Sequence, residues 1–183
     1  PVSPQSQSRK AKGFLRNIAG TSPKYGFAQA KLLKTKMDLS GRGTVTLNPK
    51  YGVDDLGLPE PMAWEMYKPF VIKALVQRGI RRAMAMEEVD NKSPMALDAL
   101  KQVMKDRPAI LNRAPTLWRH SMIAVTPHIV PGKTIVVNPY LTDPTNMDFD
   151  GDAAMMSIAA TDAGNRDVKT MMLSKQLFSD KTR

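Results

Sequence analysis

The chain has 183 residues, 42% of them hydrophobic and 24% charged, a composition that supports one folded domain with an insertion and not a disordered tail. No cysteine and only two histidines are present, which excludes disulfides, thiolate and iron–sulfur sites, a cysteine nucleophile and a histidine-built metal site, and leaves oxygen ligands from 17 carboxylates. The net charge is +10, and residues 1–50 hold ten Lys/Arg against one acid, Asp38, an asymmetry that suits an arm binding a polyanion.

Residues 1–8 (PVSPQSQS) have the Pro/Ser/Gln content of a mobile end. From Arg9 to Ala30 glycines, basic residues and isolated aromatics mix without a period, so residues 1–30 are expected to form a basic, partly irregular arm ahead of a core over 31–183. Residues 43–48 (GTVTLN) alternate β-branched side chains and predict a strand, closed by Pro49 and a YGVDD turn.

The middle of the chain predicts a helical insertion over about 59–107. Pro59 and Pro61 open it, and Met62, Met66, Phe70, Ala74 and Leu75 keep helical spacing. Pro69 is expected to kink or split this run, because it offers no amide proton. Ser93 caps a second run with Pro94 at its first position, and Leu97, Leu100, Val103 and Met104 form its apolar stripe up to Pro108. Nine basic and nine acidic residues balance over 51–107.

Short strands are predicted around 109–112, 121–126, 133–138 and 153–159, separated by Pro/Gly turns (PHIVPG, NPYLTDPTN). Thr161 and Asp162 cap a last helix through about Leu173. Short strands broken by prolines, with helices inserted, point to an α+β fold built on a small twisted barrel. No apolar stretch approaches bilayer length and no leader-like start is visible, so a cytoplasmic chain without membrane contact is expected.

The most informative segment is Asn146-Met147-Asp148-Phe149-Asp150-Gly151-Asp152. Three carboxylates at alternate positions repel one another unless a cation neutralises them. Oxygen ligands favour a hard ion, Mg²⁺ first, then Mn²⁺ or Ca²⁺. An EF-hand fails on count, because with Asp148 first the sixth position is Ala153 and the twelfth is Ala159; an acidic surface turn is the bland alternative. Upstream, Leu111-Asn112-Arg113-Ala114-Pro115-Thr116-Leu117-Trp118-Arg119-His120 offers two forked guanidinium groups suited to phosphate or ribose oxygens.

Three segments in this order, LLKTKMDLSGR (32–42), LNRAPTL (111–117) and NMDFDGD (146–152), resemble the largest, beta-prime subunit of bacterial-type multisubunit DNA-directed RNA polymerase. GLPEPMAWEMYKPF (57–70) is similar to that family's entry into a helical insertion, and the resemblance runs from about Gly13 to Arg183. It implies a double-psi β-barrel whose acidic loop, Asp148, Asp150 and Asp152, holds a catalytic Mg²⁺, with a second ion arriving with the nucleotide. It further implies that Arg113 and Asn146 contact ribose hydroxyls and that Lys36 and Arg42 lie near the nucleic-acid backbone; Lys34 and Arg119 are assigned to the same nucleic-acid contact. The implied partners are the second-largest, beta-like subunit and the remaining polymerase subunits, DNA template, RNA and nucleoside triphosphates.

Met147, Ala153 and Trp118 stand where the family usually has alanine, glutamine and histidine, which suggests a divergent, phage-like member. The family's subunit is several times longer, so the chain is expected to be a fragment or one piece of a split subunit, inactive alone. Two other classes compete: a non-catalytic nucleic-acid-binding barrel, and a calcium-stabilised structural domain. The intact aspartate triad argues against the first, and the failed EF-hand count and basic N-terminus against the second.

Overall fold

The computed structural model describes residues 37–118 and 121–176. The chain divides into two compact units, Pro1–Met37 and Asp38–Arg183, and the second is described here. The expected arm over 1–30, together with Lys34, Lys36 and Arg119, lies outside the described residues.

Six strands form a closed barrel: β1 (Ser40–Leu47), β2 (Asp55–Pro59), β3 (Ala109–Asn112), β4 (Met122–Val130), β5 (Ile135–Val137) and β6 (Ala153–Ile158), in the ring order β1-β5-β2-β4-β3-β6. β1 runs parallel to β5 and β2 parallel to β4, while the other four pairings are antiparallel. Two parallel crossovers interlocked in one six-stranded ring make this a double-psi β-barrel in an α+β chain. Inward residues such as Val45, Leu56, Leu111, Ile123, Val125, Ile135, Val137 and Met156 are buried along the strands.

Between β2 and β3 three helices are inserted: α1 (Glu60–Gln77), α2 (Arg82–Asp90) and α3 (Pro94–Asp106). α1 starts with prolines, whose fixed φ suits the first turn, and buries Ala63, Trp64, Met66, Tyr67, Val71 and Leu75 at helical spacing. Pro69 does not split it. The proline is exposed, and the carbonyl it leaves without a donor, that of Glu65, belongs to a residue that is also exposed. Ser93 caps α3 by accepting from the Ala96 amide at 3.2 Å. The Tyr67 hydroxyl donates to the Arg107 carbonyl at 2.8 Å, tying α1 to the end of α3; burial pushes this phenol well above its ordinary pKa. Insertion and barrel share one hydrophobic core. α1 lies against β1 where Gly41 has no side chain, since a Cβ there would sit 2.9 Å from both Cγ and Sδ of Met62.

After β5, a single 3₁₀ turn (Pro139–Leu141) and the short α4 (Thr142–Thr145) lead into the acidic segment; after β6 come α5 (Asp162–Thr170) and α6 (Leu173–Gln176). Thr161 caps α5 by accepting from the Gly164 amide at 3.1 Å.

Beyond the unbroken α1 and a β1 that begins at Ser40, ahead of the expected strand, four elements differ from expectation. β2 occupies DLGLP, taken above as turn and helix entry; four of its five residues are buried, so it has no polar face and no alternation to read. β4 continues through Pro127 to Val130, because β3 pairs with β4 only as far as Val125 and leaves one edge where a missing amide proton costs no ladder bond. The NPYLTDPTN run contains helical turns, capped where Asn138 Oδ1 accepts from the Tyr140 amide at 2.8 Å. The last helix ends at Thr170, where Met171 and Met172 turn away and Met172 bridges to Ala124. Among the described residues no helix is long and apolar enough to cross a membrane.

Candidate functional site

β6 lies between β1 and β3 in the ring, and this order assembles the site. The acidic loop leads directly into β6, the Asn112-Arg113 turn leaves the end of β3, and Arg42 sits on β1. Met155 on β6 has Arg42 as its register partner on one side and Asn112 on the other. Paired residues share a face of the sheet, and Met155 is 41% exposed, so this row faces solvent. Three segments far apart in the chain thus meet on adjacent strands.

The loop alternates. Met147 is buried and Phe149 packs half-buried against the core, whereas Asp148 and Asp150 are exposed. Two apolar anchors therefore turn the intervening carboxylates outward. Asn146 closes α4 in the left-handed conformation (φ 50°), a state that asparagine tolerates better than most residues. Its amide donates to the Asp143 carbonyl at 3.3 Å and the Met147 amide to the Thr142 carbonyl at 3.1 Å. Gly151 has φ 114°, which a side chain would resist.

Asp152 is the best-held member. Its carbonyl accepts from the Val45 amide at 3.0 Å, fixing the loop to β1. Arg113 meets its carboxylate side-on, Nε to Oδ2 at 2.7 Å and Nη2 to Oδ1 at 3.1 Å, and the Asp148 amide donates to Oδ2 at 2.9 Å. The hydrogen bond from Arg113, then that from the Asp148 amide, hold this carboxyl below its ordinary pKa against a smaller desolvation effect. Asp148 turns one oxygen back to the Phe149 amide at 2.7 Å.

The structure thus brings Asp148, Asp150, Asp152, Asn146 and Arg113 onto one loop and its neighbouring turn, with Arg42 on the next strand. It does not gather three ligands into one shell: among the described residues, no group of three His, Cys, Asp or Glu side chains could hold a metal ion. The donor set itself, carboxylate oxygens on a loop containing a left-handed glycine, fits a hard divalent cation. The contact that sequence reasoning missed is Arg113–Asp152, whose partners lie 39 positions apart. Only the β3–β6 pairing brings them together. A second polar cluster, His128 Nε2 to Asp55 Oδ1 at 2.8 Å, sits on β4 and β2, away from this loop in the ring.

Barrel and motifs define a core segment of a multisubunit RNA polymerase. The chain belongs to the family described as RNA polymerase Rpb1, domain 2, whose model matches residues 78–174. It is 39% identical over 153 residues to the DNA-directed RNA polymerase subunit beta' of Lactobacillus helveticus, a match covering 82% of this chain and 13% of that subunit. To the corresponding subunit of Chlorobium luteolum it is 37% identical over 153 residues, covering 82% of this chain and 10% of the subunit. The chain therefore spans about a tenth of the length of the relatives it matches.

Proposed function

We propose that this chain is the metal-binding catalytic core of a DNA-dependent RNA polymerase, the part of the largest subunit at which ribonucleotides join the RNA 3′ end. The observation that carries the reading is the convergence of the acidic loop, the Arg113 turn and Arg42 on neighbouring strands β6, β3 and β1. Asp148, Asp150 and Asp152 would hold Mg²⁺. Magnesium bound there supplies a lower pKa for the RNA 3′-hydroxyl and charge neutralisation at the phosphate under attack. The outward Asp148 and Asp150 present oxygens to solvent, and Asp152 fixes the loop to β1. The Arg113 fork suits ribose hydroxyls, and Asn146, exposed at the head of the loop, offers both a donor and an acceptor for the same sugar.

Arg42 is exposed and has no ion-pair partner among the described residues. With Lys34, Lys36 and Arg119 it would meet phosphates of the nucleic acid. The complete activity requires the beta-like subunit and the remaining polymerase subunits, with DNA template, RNA and nucleoside triphosphates as ligands and the cytoplasm as the place of action. The test is Mn²⁺ binding followed by water-proton relaxation. The chain is expected to bind Mn²⁺ weakly, because substrate phosphates normally complete the shell. Changing Asp148, Asp150 and Asp152 together to Asn abolishes the enhancement; unchanged binding places the ion elsewhere.

One observation favours a second reading, a nucleic-acid-binding barrel without catalysis: Asp152 is committed to Arg113, and no three-ligand cluster is formed among the described residues. That reading predicts nucleic-acid binding with no Mn²⁺ response at the loop, so the same titration separates the two.

A further inference from the structure

Asp152 is already occupied. Its two oxygens take two hydrogen bonds, from Arg113 Nη2 and from the Asp148 amide, and an ion-pair contact with Arg113 Nε at 2.7 Å. The Arg113 and Asp152 side chains are only 21% and 20% exposed, so solvent screens them less than an open surface pair such as Lys73–Asp162, at 58% and 68%. Asp148 and Asp150 have no cationic partner among the described residues. Arg113 is therefore the only positive charge paired with the acidic loop there, and it sits on the third carboxylate.

Resting on the metal-site reading above, we propose that Arg113 is a latch on the acidic loop: a positioning residue that holds Asp152 while the loop is metal-free and releases it when a ligand's ribose or phosphate oxygens take over its guanidinium. Two arguments fix the direction of the effect. A divalent cation held by Asp152 would sit close to the guanidinium that now contacts the same carboxylate, and like charges repel. Oxygen-rich ligands compete for the same Nε–Nη2 edge that the carboxylate now uses. Ligand on Arg113 and cation on Asp152 therefore favour each other, and the coupling is reciprocal. With Arg113 on Asp152 the loop then has a low metal affinity, which rises as ligand takes Arg113.

The experiment titrates the full chain with Mn²⁺ alone, read by water-proton relaxation, for the wild type, Arg113→Gln and Arg113→Lys, with thermal melting to check folding. Removing one positive charge beside a dication at a partly screened site should tighten binding by about tenfold in Arg113→Gln. Arg113→Lys keeps the charge but cannot cover both carboxylate oxygens, so it shifts affinity the same way by a smaller factor. Both variants should melt somewhat lower for want of the full ion pair, and a merely structural Arg113 would give weaker binding instead of tighter. Unchanged or weaker Mn²⁺ affinity in either variant, measured at a temperature where that variant is fully folded, overturns the latch and leaves the metal site standing. Mn²⁺ binding indifferent to Asp148→Asn in the wild-type background overturns the metal site, and the latch with it.

Discussion

Replacing Gly57 with alanine probes the tightest contact in the barrel. A Cβ at this position would lie 2.8 Å from Val136 Cβ, 2.9 Å from Val130 Cγ1 and 3.2 Å from the Tyr51 hydroxyl oxygen. None of these can easily retreat. Gly57 is paired with Val136 of β5 on one side and His128 of β4 on the other, so relief requires moving a strand that is hydrogen-bonded into the ring. Overpacking of this kind costs about 1–3 kcal/mol, offset by about 0.4–1 kcal/mol because alanine restricts the unfolded chain. A net loss of about 1–2 kcal/mol lowers Tm by about 2–8 °C for a chain of this length. Thermal unfolding followed by circular dichroism reads the shift. Gly132→Ala is the control: nothing lies within 4 Å of its Cβ and φ is 103°, so only backbone strain acts there. A Gly57→Ala protein that melts at or above the wild-type temperature would refute the claim that β2 is wedged between β4 and β5 at this residue.

Three further outcomes are expected. Arg113 lowers the Asp152 pKa, so the pair's stabilisation is complete above the ordinary carboxylate pKa and is lost as pH falls through the lowered one. The Tm difference between wild type and Arg113→Gln should accordingly hold steady above about pH 5 and shrink towards pH 3, and a difference that widens on acidification contradicts the pairing. In a reconstituted enzyme, Asn146→Ala should narrow the preference for ribo- over deoxyribonucleotides by roughly ten- to a hundredfold, the worth of a lost polar contact of about 1–3 kcal/mol; equal loss for both sugars would make Asn146 a cap of α4 and nothing more. Reversing Lys34, Lys36 and Arg42 together should flatten the salt dependence of nucleic-acid binding by close to one unit per lost phosphate contact, whereas an unchanged slope with failed subunit assembly would assign these residues to a protein partner.

What the sequence made legible was local. Ser93 and Thr161 are caps because a hydroxyl ahead of a helix accepts from its first turn, and both do so. β3 and β6 alternate buried and less buried residues, and both were readable. The alternation of Met147 and Phe149 with Asp148 and Asp150 could also have been read as two anchors and two outward carboxylates. What escaped depends on the ring. β2 has no exposed face, so its sequence carries no period. Pro127 marks a strand end only if both strand edges need amide donors, and past Val125 one edge of β4 is free of β3. Arg113 and Asp152 each announce charge chemistry, but nothing in either segment says that they pair.

The place of β6 also governs how the molecule comes together in time. Its pairing with β1 joins Ser40 to Ser157 and its pairing with β3 joins Ala109 to Ile158, contacts that close long stretches of chain and form slowly, whereas the helices of the insertion rest on neighbours in sequence. The helices should therefore condense first and the ring shut last. The β3–β6 pairing that brings Arg113 to Asp152 spans a shorter stretch than the β1–β6 pairing, so the acidic loop can acquire its arginine before β1 shuts the ring. Cutting the backbone between Met147 and Asp152 would leave β6 held in the ring by its ladders with β1 and β3 while separating Asp148 from Asp152.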